Sequence, residues 1–177
     1  MLSQFTQIFD YFQIQSILMC CHGRHDAPLV VWDCDVAANA QSWADRGLFE
    51  NSSSYQLSPP AGPAGENIAL GQATGTAATD DWYKEVSNWM YDPGDGTNNQ
   101  GETAHFTAMI WKGVTKLGCG YYPSTNFWVC RYKAGDTLSA DTPNMAGIIT
   151  RFLSCNAGSN CDSCCRCLQG QRSSTKC

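Results

Sequence analysis

This chain is short of charge, and of positive charge in particular. Charged side chains make up 15% of its 177 residues, the formal net charge is −5, and no basic run exceeds two residues. Basic and aromatic residues are not interleaved, so no nucleic-acid-binding surface is expected. No stretch approaches about 20 apolar residues, which argues against a membrane-spanning helix. The first ten residues carry no basic side chain and Asp10 interrupts their apolar run, so no signal peptide is evident. Internal repeats are absent. Serine never sits in a nucleophile-elbow setting. Histidine is scarce, with three in the whole chain.

Cysteine, by contrast, is abundant. Eleven cysteines suit an oxidising compartment, and the odd count leaves at least one thiol without an intramolecular partner. An extracellular location is therefore expected, with a start of the chain that is incomplete or misassigned in preference to another export route. The hydrophobic fraction of 43% supports a buried core in one domain with appendages.

Residues 1–21 read as an amphipathic helix whose packed face is Phe5, Ile8, Phe9 and Phe12. His22 to Pro28 reads as a loop. Asp33 is the predicted N-cap of a helix over 34–46, with Val36, Ala40 and Trp43 as its apolar stripe and Gly47 as its stop. Asn51 to Gly65 reads as a loop containing the glycosylation triplet Asn51-Ser52-Ser53. A short apolar run follows Glu66, and residues 71–79 read as a flexible connector. A third helix is predicted from Thr79 to Tyr91, with Trp82, Val86, Trp89 and Met90 buried and Glu85 at the border of that stripe. A turn-rich loop spans 92–101, and a helix capped by Thr103 carries His105. Leu117–Tyr122 and Asn126–Tyr132 read as a hairpin that Cys119 and Cys130 bridge if the register allows. Residues 148–153 read as one more strand. Six cysteines crowd residues 155–177, where disulfides are preferred over zinc despite the Cys161-x-x-Cys164 spacing.

Glu66, Glu85 and His105 come from three separate elements, as residues of an assembled site do. Two carboxylates and an imidazole suit either a divalent metal or acid–base work. By spacing alone, a helix histidine is more often a satisfied core residue.

Ordered blocks resemble the CAP superfamily of cysteine-rich secretory, antigen 5 and pathogenesis-related 1 proteins, whose domain is also called SCP. They are His25 to Asp33, the alanine-rich Ala37 to Ala44, Gly65-Glu66-Asn67, Trp82-Tyr83-Lys84-Glu85, Gly101 to Trp111, and the hairpin blocks Gly118-Cys119-Gly120 and Val129 to Tyr132. The resemblance implies an α+β fold of the three-layer α/β/α sandwich type over 22–153. An atypical N-terminal segment, 1–21, precedes it, and a cysteine-rich tail, 154–177, follows. It also implies a cleft of two histidines and two glutamates. Carried over by position, these are Glu66, Glu85 and His105, with Asn51 standing where the first histidine belongs. An asparagine amide is a poor zinc ligand, so no cofactor is required. Any divalent metal would be held weakly by Glu66, Glu85 and His105. A glycan on Asn51 would sit at the cleft mouth. Two further departures are the lack of a histidine-asparagine-x-x-arginine pattern before residue 25 and the partial match after Tyr132.

The function the resemblance implies is a secreted, non-enzymatic binding module for a small lipid or sterol, acting in defence or signalling. A metal-assisted or His/Glu hydrolase is the alternative from another class. Channel or partner binding through the cysteine-rich tail, to a protein of unknown identity, is the third.

Overall fold

A computed structural model describes residues 2–25, 27–90 and 100–134 of the chain. Of the expected loop at 92–101, residues 92–99 lie outside the described residues and 100–101 are helical; the expected strand at 148–153 and the tail at 154–177 also lie outside. Among the described residues, four α-helices and four strands follow in the order α1 Leu2–Arg24, β1 Val31–Trp32, α2 Cys34–Ala44, β2 Ala64–Leu70, α3 Gly75–Tyr83, α4 Gln100–Ile110, β3 Val114–Tyr122 and β4 Phe127–Ala134. Short 3-10 turns occupy Ser54–Gln56 and Lys84–Asn88.

Asp33 caps α2 as its residue type predicts: its carboxylate accepts from the Asp35 and Val36 amides, satisfying two donors that the helix itself leaves open. The other carboxylate oxygen faces Lys116 Nζ at 3.4 Å. Gly47 ends the segment with φ +66°, a backbone conformation that glycine adopts without steric cost. The hairpin also forms as predicted. Pro123 to Asn126 makes the turn, and β3 pairs antiparallel with β4 in a register that sets Cys119 opposite Cys130. The two are joined by a disulfide with Cα atoms 4.1 Å apart. Cys20, Cys21 and Cys34 are disulfide-bonded as well.

The sheet order is β1-β3-β4-β2, with β1 parallel to β3 and the other pairs antiparallel. Strand alternation gives it two different faces. On one, Ile68, Phe127 and Val129 pack against Ala40 and Ala44 of α2. On the other, Leu117, Cys119, Trp128, Cys130 and Tyr132 join Ile14, Ile17 and Leu18 of α1, Trp82 of α3, and Phe106 and Met109 of α4. The outcome is an α/β/α sandwich.

Several local readings change. In α1, Ile8 and Phe9 are 57% and 62% exposed, while Ile14, Ile17, Leu18 and Cys21 are buried. From Ile14 on, the helix packs against α3, α4 and β3, and the side chain of Phe5 lies outside those described. The helix runs on through Arg24, so the expected loop at 22–28 begins later. His22 is fully buried there, with its ring nitrogens 2.5 Å from the Pro28 carbonyl and 2.7 Å from the Met109 carbonyl. Next, α3 starts at Gly75 and not at Thr79, because Thr74 caps it by accepting from the Ala77 amide. Gly75 packs where a Cβ would meet the Ile14 side chain, so tertiary contact orders a stretch whose composition reads as a connector. Met90 is 53% exposed and Tyr83 takes the core position instead. Finally, Thr103 lies buried within α4 and does not cap it.

His25 yields a pH prediction. Its ring is 1% exposed, its Nε2 pairs with the Tyr83 hydroxyl at 3.1 Å, and it stands edge-on to Phe106. Burial, reinforced by the charges of Arg24 and His22, lowers its pKa from 6.5 to about 4. The folded state thus keeps His25 neutral at pH values where the unfolded chain protonates it. This contribution is complete above pH 6.5 and is lost as the pH falls towards about 4. Urea unfolding at pH 7 and pH 4 is expected to differ by about 3 kcal/mol through this residue, and His25→Gln should remove most of that difference. An unchanged pH slope in the variant would count against the assignment.

Candidate functional site

Glu66 lies in β2 directly opposite Arg131 of β4. Its side chain and that of Arg131 are each 2% exposed, and Arg131 Nε donates to Glu66 at 2.9 Å. The Ser52 amide and hydroxyl donate to the same carboxylate at 2.6 and 2.5 Å, and Asn51 Nδ2 lies 3.4 Å away. The rest of the guanidinium is used too: Nη2 donates to Ser52 Oγ at 2.8 Å and Nη1 to Asn39 of α2. A buried ion pair is tolerated when its remaining hydrogen-bonding groups are satisfied in this way.

Glu85 and His105 form the second unit. Glu85 sits in the 3-10 turn after α3. Its Oε1 faces His105 Nδ1 at 2.6 Å, and its Oε2 accepts from the amides of His105 and Phe106 at 2.8 and 3.0 Å. One carboxylate therefore fixes both the backbone and the ring of His105. The imidazole is 40% exposed and lies nearly parallel to Trp82, with ring centroids 6.5 Å apart. With Nδ1 directed at Glu85, Nε2 is the nitrogen left for a ligand or for proton transfer. Asn67, next to Glu66 but pointing to the other face, donates to the His105 carbonyl at 3.0 Å and to the Tyr132 hydroxyl at 3.1 Å. Tyr132 is fully buried, which pushes its pKa up and keeps it a neutral phenol.

The four expected cleft positions thus come together as two pairs, Asn51 with Glu66 and Glu85 with His105. Among the described residues, no three His, Cys, Asp or Glu side chains converge as a metal-binding group. The Glu66 carboxylate is shared among Arg131 Nε, the Ser52 amide and hydroxyl, and Asn51 Nδ2. Asn51 is exposed, with its amide nitrogen towards Glu66.

Sequence reasoning missed Arg131 and Ser52 as partners of Glu66, and Asn39 as a partner of Arg131. One signal was present: a single arginine inside the apolar run Phe127-Trp128-Val129-Cys130-Arg131-Tyr132 must be buried, and a buried cation needs a partner.

A separate concavity of about 820 Å³ opens between α1 and α2, beside β1 and the end of β3. Ile8, Tyr11, Trp32, Ala37, Ala38 and Tyr121 supply most of its apolar wall. Tyr11 stacks on Trp32 with centroids 5.1 Å apart, and Tyr121 stacks on Trp128 at 4.1 Å. Because β1 has only two residues, no described strand flanks β3 at Tyr121 on the side away from β4. Gln41 of α2 fills that role. Its side-chain Nε2 donates to the Tyr121 carbonyl and its Oε1 accepts from the Tyr121 amide, both at 2.9 Å. This side-chain amide stands in for a strand and protects an otherwise open edge.

Comparison with known proteins agrees with this architecture. The chain is 36% identical to the "Secreted protein RBT4" of Candida albicans over 124 residues, 67% of this chain and 33% of that protein. It is 34% identical to "Protein PRY2" of Saccharomyces cerevisiae, over 64% of this chain and 33% of the relative. It is 30% identical to the horse (Equus caballus) "Cysteine-rich secretory protein 3", over 57% of this chain and 44% of the relative. The matched region therefore spans a third to less than half of these relatives. Among solved structures, venom allergen-like protein 4 of Schistosoma mansoni superposes with a TM-score of 0.56 at 22% identity, covering 76% of this chain and 92% of that one. An extracellular SCP-domain protein of Bacillus anthracis gives 0.52 at 23% identity, covering 73% of this chain and 41% of that one. At these identities the structural likeness establishes the fold. With residues 23–132 matched by the sequence model of the Cysteine-rich secretory protein family, and with helices on both faces of the expected sheet, the chain belongs to the CAP family.

Proposed function

We propose that this chain is the CAP domain of a secreted protein and works as a non-enzymatic binding module for a small lipid or sterol. The observation that carries this reading is the 820 Å³ groove, which is within the size range of small-molecule sites and is lined mainly by aromatic and aliphatic side chains. Secretion is supported by the disulfides at Cys20, Cys21, Cys34, Cys119 and Cys130, and by relatives that carry "secreted" or "secretory" in their names. Binding is favoured over hydrolysis because Glu66, one of two carboxylates that would activate water, is already neutralised by Arg131. Titration of the purified protein with a fluorescent sterol and a fluorescent fatty acid tests the reading. Saturable one-to-one binding of either is the expected result. Failure to saturate with both would overturn it.

A further inference from the structure

The groove has a polar end as well as an apolar wall, formed by Gln7, Gln41 and Asp45. Its hydrogen-bond donors are all committed within the protein. Gln41 Nε2 donates to the Tyr121 carbonyl and to Asp45 Oδ1 at 2.9 and 2.7 Å. The orientation of this amide is fixed, because the Tyr121 N–H must meet its oxygen and the Tyr121 carbonyl its nitrogen. The Tyr11 hydroxyl donates its only proton to Gln41 Oε1 at 3.0 Å. Gln7 Nε2 is directed at the Tyr11 oxygen at 2.7 Å and at Gln41 Oε1 at 3.5 Å. Among the described residues, what remains at this end for a ligand is a set of acceptors, the Asp45 carboxylate and the Gln7 amide oxygen. None of the described lining residues is a lysine or arginine. Asp45 is also the C-cap of α2, where the outward carbonyls of the helix add to the negative potential.

We propose that this groove is a binding site for amphiphiles whose head group donates hydrogen bonds, a hydroxyl or an ammonium, and that Asp45 selects against carboxylate heads. The inference rests on the lipid-binding reading and adds a place and a head-group chemistry to it. The apolar tail lies along Tyr11, Trp32, Ala37, Ala38 and Tyr121, and the head sits at Asp45. A fatty-acid carboxylate would bring a second negative charge to a position with no donor to receive it, whereas a hydroxyl donates its proton to the Asp45 carboxylate.

Matched chains make the test clean. Decanol, decylamine and decanoate are titrated into the purified protein at pH 7 and low salt, below their micellar concentrations. Decanol and decylamine are each expected to bind about tenfold or more tightly than decanoate, because like charges a few ångströms apart near a protein surface repel at that level. Asp45→Lys is expected to reverse the order of decylamine and decanoate. Ala38→Trp, at an exposed position on α2, is expected to fill the groove and remove binding of all three, with the fold of both variants checked by near-ultraviolet circular dichroism. Equal binding of decanol and decanoate, or an order unchanged in Asp45→Lys, overturns the head-group assignment. Undiminished binding in folded Ala38→Trp overturns the groove as the site but leaves lipid binding standing. If the unmodified protein binds none of the three and no sterol, the proposed function falls along with the site.

Discussion

Replacing Arg131 with methionine is expected to lower the unfolding free energy by about 4 kcal/mol, the scale set by stranding one member of a buried ion pair. The guanidinium is 1% exposed and holds Glu66, Ser52 and Asn39 together across β4, β2, α2 and the segment before the first 3-10 turn. Without it, the Glu66 carboxylate, whose side chain is 2% exposed, keeps only the Ser52 and Asn51 donors. The charge, more than the lost contacts, dominates the cost. The double variant Arg131→Met with Glu66→Leu is therefore expected to recover more than half of the loss, since an apolar pair of similar volume leaves no charge to solvate. Urea titrations of the single and double variants measure this. A single-variant loss below about 1 kcal/mol would place the pair in the solvent-screened class instead.

Gly118→Val is expected to cost roughly 4 kcal/mol, above the usual range for overpacking because the obstacle is backbone and not a movable side chain. A Cβ at Gly118 would come within 2.6 Å of the Ala37 Cα and the Val36 carbonyl carbon, and one at Gly120 within 2.6 Å of the Ala40 carbonyl carbon. Two glycines on one face of β3 let the α2 backbone lie directly on the sheet. That closeness places Gln41 within bonding distance of Tyr121 and sets Ala37 and Ala38 as a groove wall. The variant should therefore lose decanol binding as well as stability. Thermal unfolding followed by tryptophan fluorescence, with decanol titration below the transition, tests both effects. A variant that keeps native stability and affinity would show that α2 can shift without consequence for the groove.

Local signals carried much of the fold. The Asp33 cap, the alanine-rich helix and the turn around Pro123 to Asn126 follow from short-range backbone chemistry and were legible one segment at a time. The candidate site was less legible. Glu85 with His105 was named as part of one constellation, and the structure does join them. Glu66 was grouped with the same pair, yet its ion-pair partner is a residue 65 positions away that reads locally as part of a cystine hairpin. Alternation along β2 explains the difference: Glu66 turns towards Ser52 and Arg131, and Asn67 turns towards α4.

By itself the sequence determined that this protein has a hairpin carrying a cysteine in each strand, the ordered blocks of a CAP domain and a helix capped by Asp33. Each of these depends on residue identity at short range or on blocks whose order can be read directly. Only the tertiary structure decided that Ile14, Ile17 and Leu18 are the buried face of α1, that register joins Cys119 to Cys130, which charge neutralises Glu66, and that Gln41 bonds the edge of β3 beside a groove whose described polar end offers acceptors. The physical reason is common to all of them. Burial, ion pairing and donor commitment depend on which elements meet, and that is set by strand register and by the close approach of α2 over Gly118 and Gly120, not by the local pattern of any one segment.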